Sequence, residues 1–240
     1  MYLFGFGGYY TGMFFDPTYI LIIIALVITS LASLGVRSAY GKYAKVRNSS
    51  GFTGEQAAKI FLNSHRLGHI RLTSVNGELQ DHFDPKNNVV RLSSSNYSHS
   101  SIAAVAVAAH ECGHVIQYQE NYLPVIIRGS MVPVVNFASG LAWPMFLLGI
   151  FFSSFRFLMP IGIILFAASV VFHLITLPVE LDASARGMRL LRENNILQND
   201  ELVKARKVLN AAAMTYVAAA AGSLLQLLRL ILIAKSYDRD

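Results

Sequence analysis

The 240-residue chain is 54% hydrophobic and only 14% charged, against about 25% charged in an ordinary soluble domain. Its apolar residues gather in a few long runs, which excludes a purely soluble reading and points to membrane spans. The net charge of +6 comes without a basic stripe or nucleic-acid-binding motif, so no nucleic acid is expected, and the single cysteine, Cys112, excludes an intrachain disulfide.

Residues 1–17 contain no Lys or Arg, so the first apolar run, 19–36, lacks the positive flank of a cleaved signal peptide and reads as a retained anchor. Pro17 stands at its mouth, and Tyr9, Tyr10, Phe14 and Phe15 suit a membrane interface. The one substantial polar stretch before the next apolar run follows, about 37–123. In it Thr53-Gly54-Glu55 opens a helical pattern, Asp84 to Asn88 form a turn cluster, and Val89-Val90-Arg91-Leu92 reads as a short strand. Ser98 to Ser101 supply N-cap candidates for an Ala/Val-rich helix beginning at Ile102.

That helix carries His110-Glu111-Cys112-Gly113-His114. Residues i and i+4 lie on one helix face, so His110 and His114 can offer two imidazole nitrogens to one metal, with Glu111 in reach of a metal-bound water. Cys112 faces away from that side and reads as a small buried filler.

Three further apolar runs follow, at about 131–152, 159–177 and 211–234. The second run holds Pro133, Asn136 and Pro144, the third ends at Pro178, and the fourth has Gly222 and Ser223 suited to close packing and Arg229 to snorkelling. A catalytic zinc takes three protein ligands and leaves one position for water. Glu180, just past the third run, is the candidate third ligand, because a carboxylate after an apolar stretch is costly unless paired or metal-bound. Asp182 is the runner-up. His173 reads as a packed span residue and His82 as a structural loop histidine. Arg186 and Tyr118 are candidate oxyanion donors without a spacing argument.

These segments together resemble the neutral zinc metallopeptidase family of bacterial membranes (YugP-like). The resemblance rests on Asp81-His82-Phe83-Asp84-Pro85, Val90-Arg91-Leu92-Ser93, Ala108-Ala109 with the His-Glu-Cys-Gly-His motif, and residues 177–184, Leu-Pro-Val-Glu-Leu-Asp-Ala-Ser. More distantly the chain is similar to the membrane heat-shock protease and CAAX prenyl protease group. There an Asp usually stands four residues after the ligand Glu, where this chain has Ser184. Ser184 and Asp182 are then the candidates to support a ligating histidine.

The expected fold is mainly α: a multi-span helical membrane protein with a small zincin-like catalytic part, an active-site helix plus short strands, at the membrane surface. Residues 1–36 form an N-terminal segment and first span, 37–123 the catalytic segment, and 124–179 a transmembrane hairpin. Residues 180–210 carry the third ligand and a basic stretch, and 211–240 hold an apolar helix read as a fourth span and a tail. Lys and Arg cluster after the first and third runs, at Arg37, Lys42, Lys45 and Arg47 and again at Arg186, Arg189, Arg192, Lys204, Arg206 and Lys207. The positive-inside rule places both clusters, and the catalytic segment, on the cytoplasmic face of a bacterial cell membrane, with both chain ends outside.

The expected activity is a Zn2+-dependent endopeptidase, with His110, His114 and Glu180 as ligands and Glu111 as general base. Its expected partners are the bilayer and a peptide or protein substrate, bound in extended form along the strand at 88–93. The alternatives are a non-catalytic protein with a structural or regulatory metal and an intramembrane protease with its ligands inside the spans.

Overall fold

In the computed structural model, residues 16–237 are described; Tyr9, Tyr10, Phe14 and Phe15 lie outside the described residues. In chain order the elements are α1 (Tyr19–Tyr43), α2 (Gly54–Ser64), β1 (Arg71–Val75), β2 (His82–Asp84), β3 (Val89–Ser93), α3 (Ser94–Ser98), α4 (Ile102–Gln119), α5 (Leu123–Phe151), a 3-10 turn at Ser153–Phe155, α6 (Leu158–Glu193) and α7 (Asn199–Tyr237). Among the described residues, seven helices and one small sheet make the fold mainly α. Helices α1, α5, α6 and α7 are long and apolar enough to cross a membrane, and each corresponds to one of the four apolar runs.

The described chain divides into two compact units. The first comprises residues 16–30, 133–173 and 218–237. Here the helices meet through small residues, as helices do where burial of apolar surface cannot drive association. A Cβ added at Gly162 would stand 2.7 Å from the Ala142 carbonyl oxygen, and one at Gly149 only 2.4 Å from the Met159 side chain. Ser139 and Ser169 join α5 to α6 through their hydroxyls at 2.8 Å. Phe146, Met159 and Leu230 fill the space between. Arg229 stacks 4.8 Å over the Tyr19 ring and lies 3.9 Å from Asp16.

The second unit, residues 31–132 and 174–217, is built around α4. Ser101 caps this helix by accepting from the Ala104 N–H at 3.1 Å. Thr53 and Gln56 form a capping box that starts α2. From Ile102 to Ala109, α4 is buried on nearly every side and packs on α2, the sheet and the later part of α6. Phe61, Leu92, Ile102, Cys112, Leu191 and Ile196 are among the fully enclosed members of this core.

The sheet order is β1-β3-β2, with β3 parallel to β1 and antiparallel to β2. This corrects the expectation that the strand at 88–93 offers an edge for an extended substrate. Both edges of β3 are already paired, and Val89 and Val90 are core residues. The free edges belong to β1 and β2, two short strands with too few apolar residues to stand out in the sequence.

The helix that carries the third apolar run does not stop where the run does, at Pro178. A proline removes one ladder hydrogen bond, yet α6 continues unbroken to Glu193. Beyond the proline, Val179, Glu180 and Ala183 are buried, so tertiary packing outweighs the lost bond.

Candidate metal centre

Two backbones must approach closely for α6 to deliver a ligand to α4, and glycine permits it on both sides. A Cβ at Gly113 would fall 2.4 Å from the Ala183 carbonyl oxygen, and one at Gly187 would fall 3.0 Å from the Ala109 carbonyl and the His110 nitrogen. The crossing sets Glu180 and Ser184 against the imidazoles of His110 and His114.

Glu180 Oε2 lies 3.3 Å from His110 Nε2 and 3.5 Å from His114 Nε2. Around a tetrahedral zinc with bonds of about 2.0–2.1 Å, neighbouring ligand atoms stand about 3.3 Å apart. Both distances from the carboxylate oxygen fit one metal, and all three ligand atoms lie within 4.8 Å of one another. They form the only three-residue cluster of metal-binding side chains found among the described residues. Oε2 is buried without a hydrogen-bond partner, a costly condition for a carboxylate oxygen unless a cation takes the place.

The outer nitrogens of both imidazoles are engaged. Ser184 Oγ is 3.1 Å from His110 Nδ1. Gln117, fully buried on α4, donates through Nε2 to the Val179 carbonyl at 2.8 Å and to Asp182 Oδ2 at 2.9 Å. Its Oε1 must then accept, and it faces His114 Nδ1 at 3.0 Å. The proton on His114 is thereby placed on Nδ1, and the Nε2 lone pair is left for the metal. Asp182, the runner-up ligand, accepts from Gln117 and Arg186, and Arg186 also pairs with Glu120. Asp182 is thereby linked to His114 through Gln117, and Arg186 is held between two carboxylates.

Arg128, at the start of α5, donates to Glu180 Oε1 at 3.0 Å. This occupies one carboxylate oxygen and leaves the other for the metal.

Glu111 is buried beside His110, and burial pushes its carboxyl above the ordinary range. Together with His110 it lines a cavity of about 410 Å³. Tyr216 of α7 lines the same cavity.

The remaining candidates lie outside the three-residue cluster. Cys112 points into the core, its Sγ near the Ala58 carbonyl, and burial pushes its thiol up. The ring of His82 is held between the Gln80 carbonyl and Arg91. Tyr118 stacks edge-on against Phe83. His173 packs edge-on against Phe172 and is outside the three-residue cluster.

Gln117, Arg128 and Tyr216 went unread in the sequence. Arg128 did leave a signal, as a lone cation within an apolar stretch. Gln117 and Tyr216 gain meaning only from the packing of α4 against α6 and from the walls of the cavity.

Comparison with known proteins places this geometry in context. The profile of the family described as "Putative neutral zinc metallopeptidase" matches residues 18–235. A Bacillus subtilis (strain 168) protein named "Putative membrane protease YugP" is 46% identical over 213 residues, covering 89% of this chain and 94% of that protein. No solved structure matches the chain significantly.

Proposed function

The chain belongs to the family described as putative neutral zinc metallopeptidases, and from that premise we propose that it is a membrane-embedded, zinc-dependent endopeptidase acting on membrane or membrane-proximal proteins. The observation that carries the reading is the meeting of Glu180 Oε2 with two Nε2 atoms at 3.3 and 3.5 Å, around a carboxylate oxygen otherwise without a partner.

His110, His114 and Glu180 would hold the zinc, which when bound lowers the pKa of a water and polarises a carbonyl. The protein's own groups do the rest. Glu111 takes a proton from the attacking water and passes it to the departing amine nitrogen. Tyr216 offers a hydroxyl donor to the carbonyl oxygen as negative charge develops there. Arg128 fixes Glu180, and Ser184 and Gln117 orient the imidazoles.

With both edges of β3 occupied, the free edge of β2 is where an extended peptide would add, since Leu79 and Asp81 just before it line the same cavity as Glu111. A purely structural metal site has no use for a buried carboxylate next to its ligands, which favours the catalytic reading.

The test combines metal content with hydrolysis on detergent-purified protein. We expect one zinc per chain, sharply reduced in Glu180→Ala. Peptide hydrolysis should be lost in Glu111→Gln while its zinc is retained. Full zinc in Glu180→Ala would remove Glu180 from the centre. No metal in the wild type after zinc is added back would favour the non-catalytic alternative.

A further inference from the structure

The cavity beside Glu111 extends well beyond the metal ligands. Val36 of α1, Val107 of α4, and Leu209 and Ala212 of α7 form its walls. None of these side chains has a hydrogen-bonding group. Ser33, Arg37, Asp81, Thr215 and Tyr216 are the other polar residues along it, and the most enclosed contacts are internal ones. Asp81 accepts from the Ser93 N–H at 2.7 Å, from the Ser93 hydroxyl at 2.9 Å and from Asn96 Nδ2 at 2.9 Å. Thr215 donates its hydroxyl to the Ala212 carbonyl at 2.6 Å. Arg37 is exposed and lines the cavity from α1.

A charged substrate side chain that passes the exposed Arg37 to reach the walls of Val107, Leu209 and Ala212 would give up its hydration there, a cost an apolar side chain does not meet. At about 410 Å³ the space falls within the range of small-ligand pockets. It is large enough for a leucine or phenylalanine side chain.

We infer that this cavity is the specificity pocket of the enzyme and takes a large aliphatic or aromatic side chain flanking the scissile bond. The inference rests on the proposed peptidase function and goes further by assigning the substrate class. Cleavage falls next to apolar residues, and selectivity resides in α1 and α7 as well as in the motif helix. Ala212 is the position that sets the depth of the pocket. It is small, partly exposed and on a helix that accepts leucine at little cost.

The test is binding and not turnover. Zinc-loaded, detergent-purified protein is titrated with two series of peptide hydroxamates, with the metal-binding group on either side of a varied residue: Gly, Ala, Leu, Phe, Asp or Lys. In one series Leu and Phe should bind at least about tenfold more tightly than Gly, the order of discrimination an apolar pocket achieves per methylene or more. Asp and Lys should not exceed Gly. Ala212→Leu should abolish most of the Leu and Phe advantage while leaving zinc content and Gly affinity unchanged. A flat ranking, a preference for charged residues, or an unchanged ranking in Ala212→Leu with zinc retained overturns the pocket assignment. No binding by any hydroxamate overturns the proposed function as well, because the metal would then be inaccessible.

Discussion

Glu111 and its neighbours differ in what each can lose. If Glu111 is the general base, Glu111→Gln removes the base but keeps the shape. Loss of general-base catalysis is worth about 10²–10⁴ in rate, and metal content should not change. Tyr216→Phe removes only a hydroxyl. If that hydroxyl stabilises developing charge, kcat should fall by about 10²–10³ with little change in KM. A purely structural tyrosine would leave kcat nearly intact, so steady-state kinetics on the two variants decides its role. Gln117 acts at one remove, by fixing the proton of His114. Gln117→Leu is nearly isosteric and should weaken zinc binding about 10–100-fold, the usual effect of losing a ligand's supporting partner. Competition with a chelator would measure it. His110, Glu111 and His114 were legible because helix spacing alone sets them on one face. Glu180 was legible because a carboxylate after an apolar run demands an explanation. Of the supporting residues, Ser184 and Asp182 were candidates on sequence, whereas Gln117 and Arg128 were not, since the contacts that tie them to α6 reach 52 to 65 positions along the chain.

The element that makes the site possible is the crossing of α4 and α6. In an exposed helix, Gly→Ala gains about 1 kcal/mol of helix stability. At Gly113 the added methyl would meet a backbone carbonyl at 2.4 Å, which cannot rotate away. Overpacking of this kind costs about 1–3 kcal/mol, so the clash wins. Gly113→Ala should lower the unfolding temperature and also reduce zinc occupancy, because the helices separate where the ligands meet. Thermal denaturation together with metal analysis checks both effects. A stabilised, fully loaded Gly113→Ala protein would mean that the crossing is not constrained here. The sequence did announce the helix starts, through Thr53 and Ser101, because capping is local chemistry. It did not announce β1 and β2, whose pairing with β3 depends on residues up to 18 positions apart. That omission is why β3 looked like an edge when it is the centre of the sheet.

For the whole molecule, the distribution of charge bears on which side of the membrane the chemistry occurs. Of the 20 Lys and Arg residues, Arg239 lies outside the described residues and only Arg156, Arg229 and Lys235 fall within the first unit's ranges; the other sixteen belong to the second, which also contains His110, Glu111, His114 and Glu180. Basic residues near membrane spans stay on the cytoplasmic side, which makes a cytoplasmic catalytic unit the expected arrangement. The chain suits a direct labelling test, because Cys112 is its one cysteine and is buried. A cysteine introduced at exposed Lys86, beside the β2–β3 turn, should resist a membrane-impermeant maleimide in intact cells and react after permeabilisation. One introduced at exposed Ser154, between α5 and α6, should show the opposite pattern. The unsubstituted chain should stay unlabelled in both states. Reversed labelling would put the zinc ligands on the outer face. The substrates would then be proteins beyond the cytoplasm, and the basic residues would owe their place to folding and not to topology.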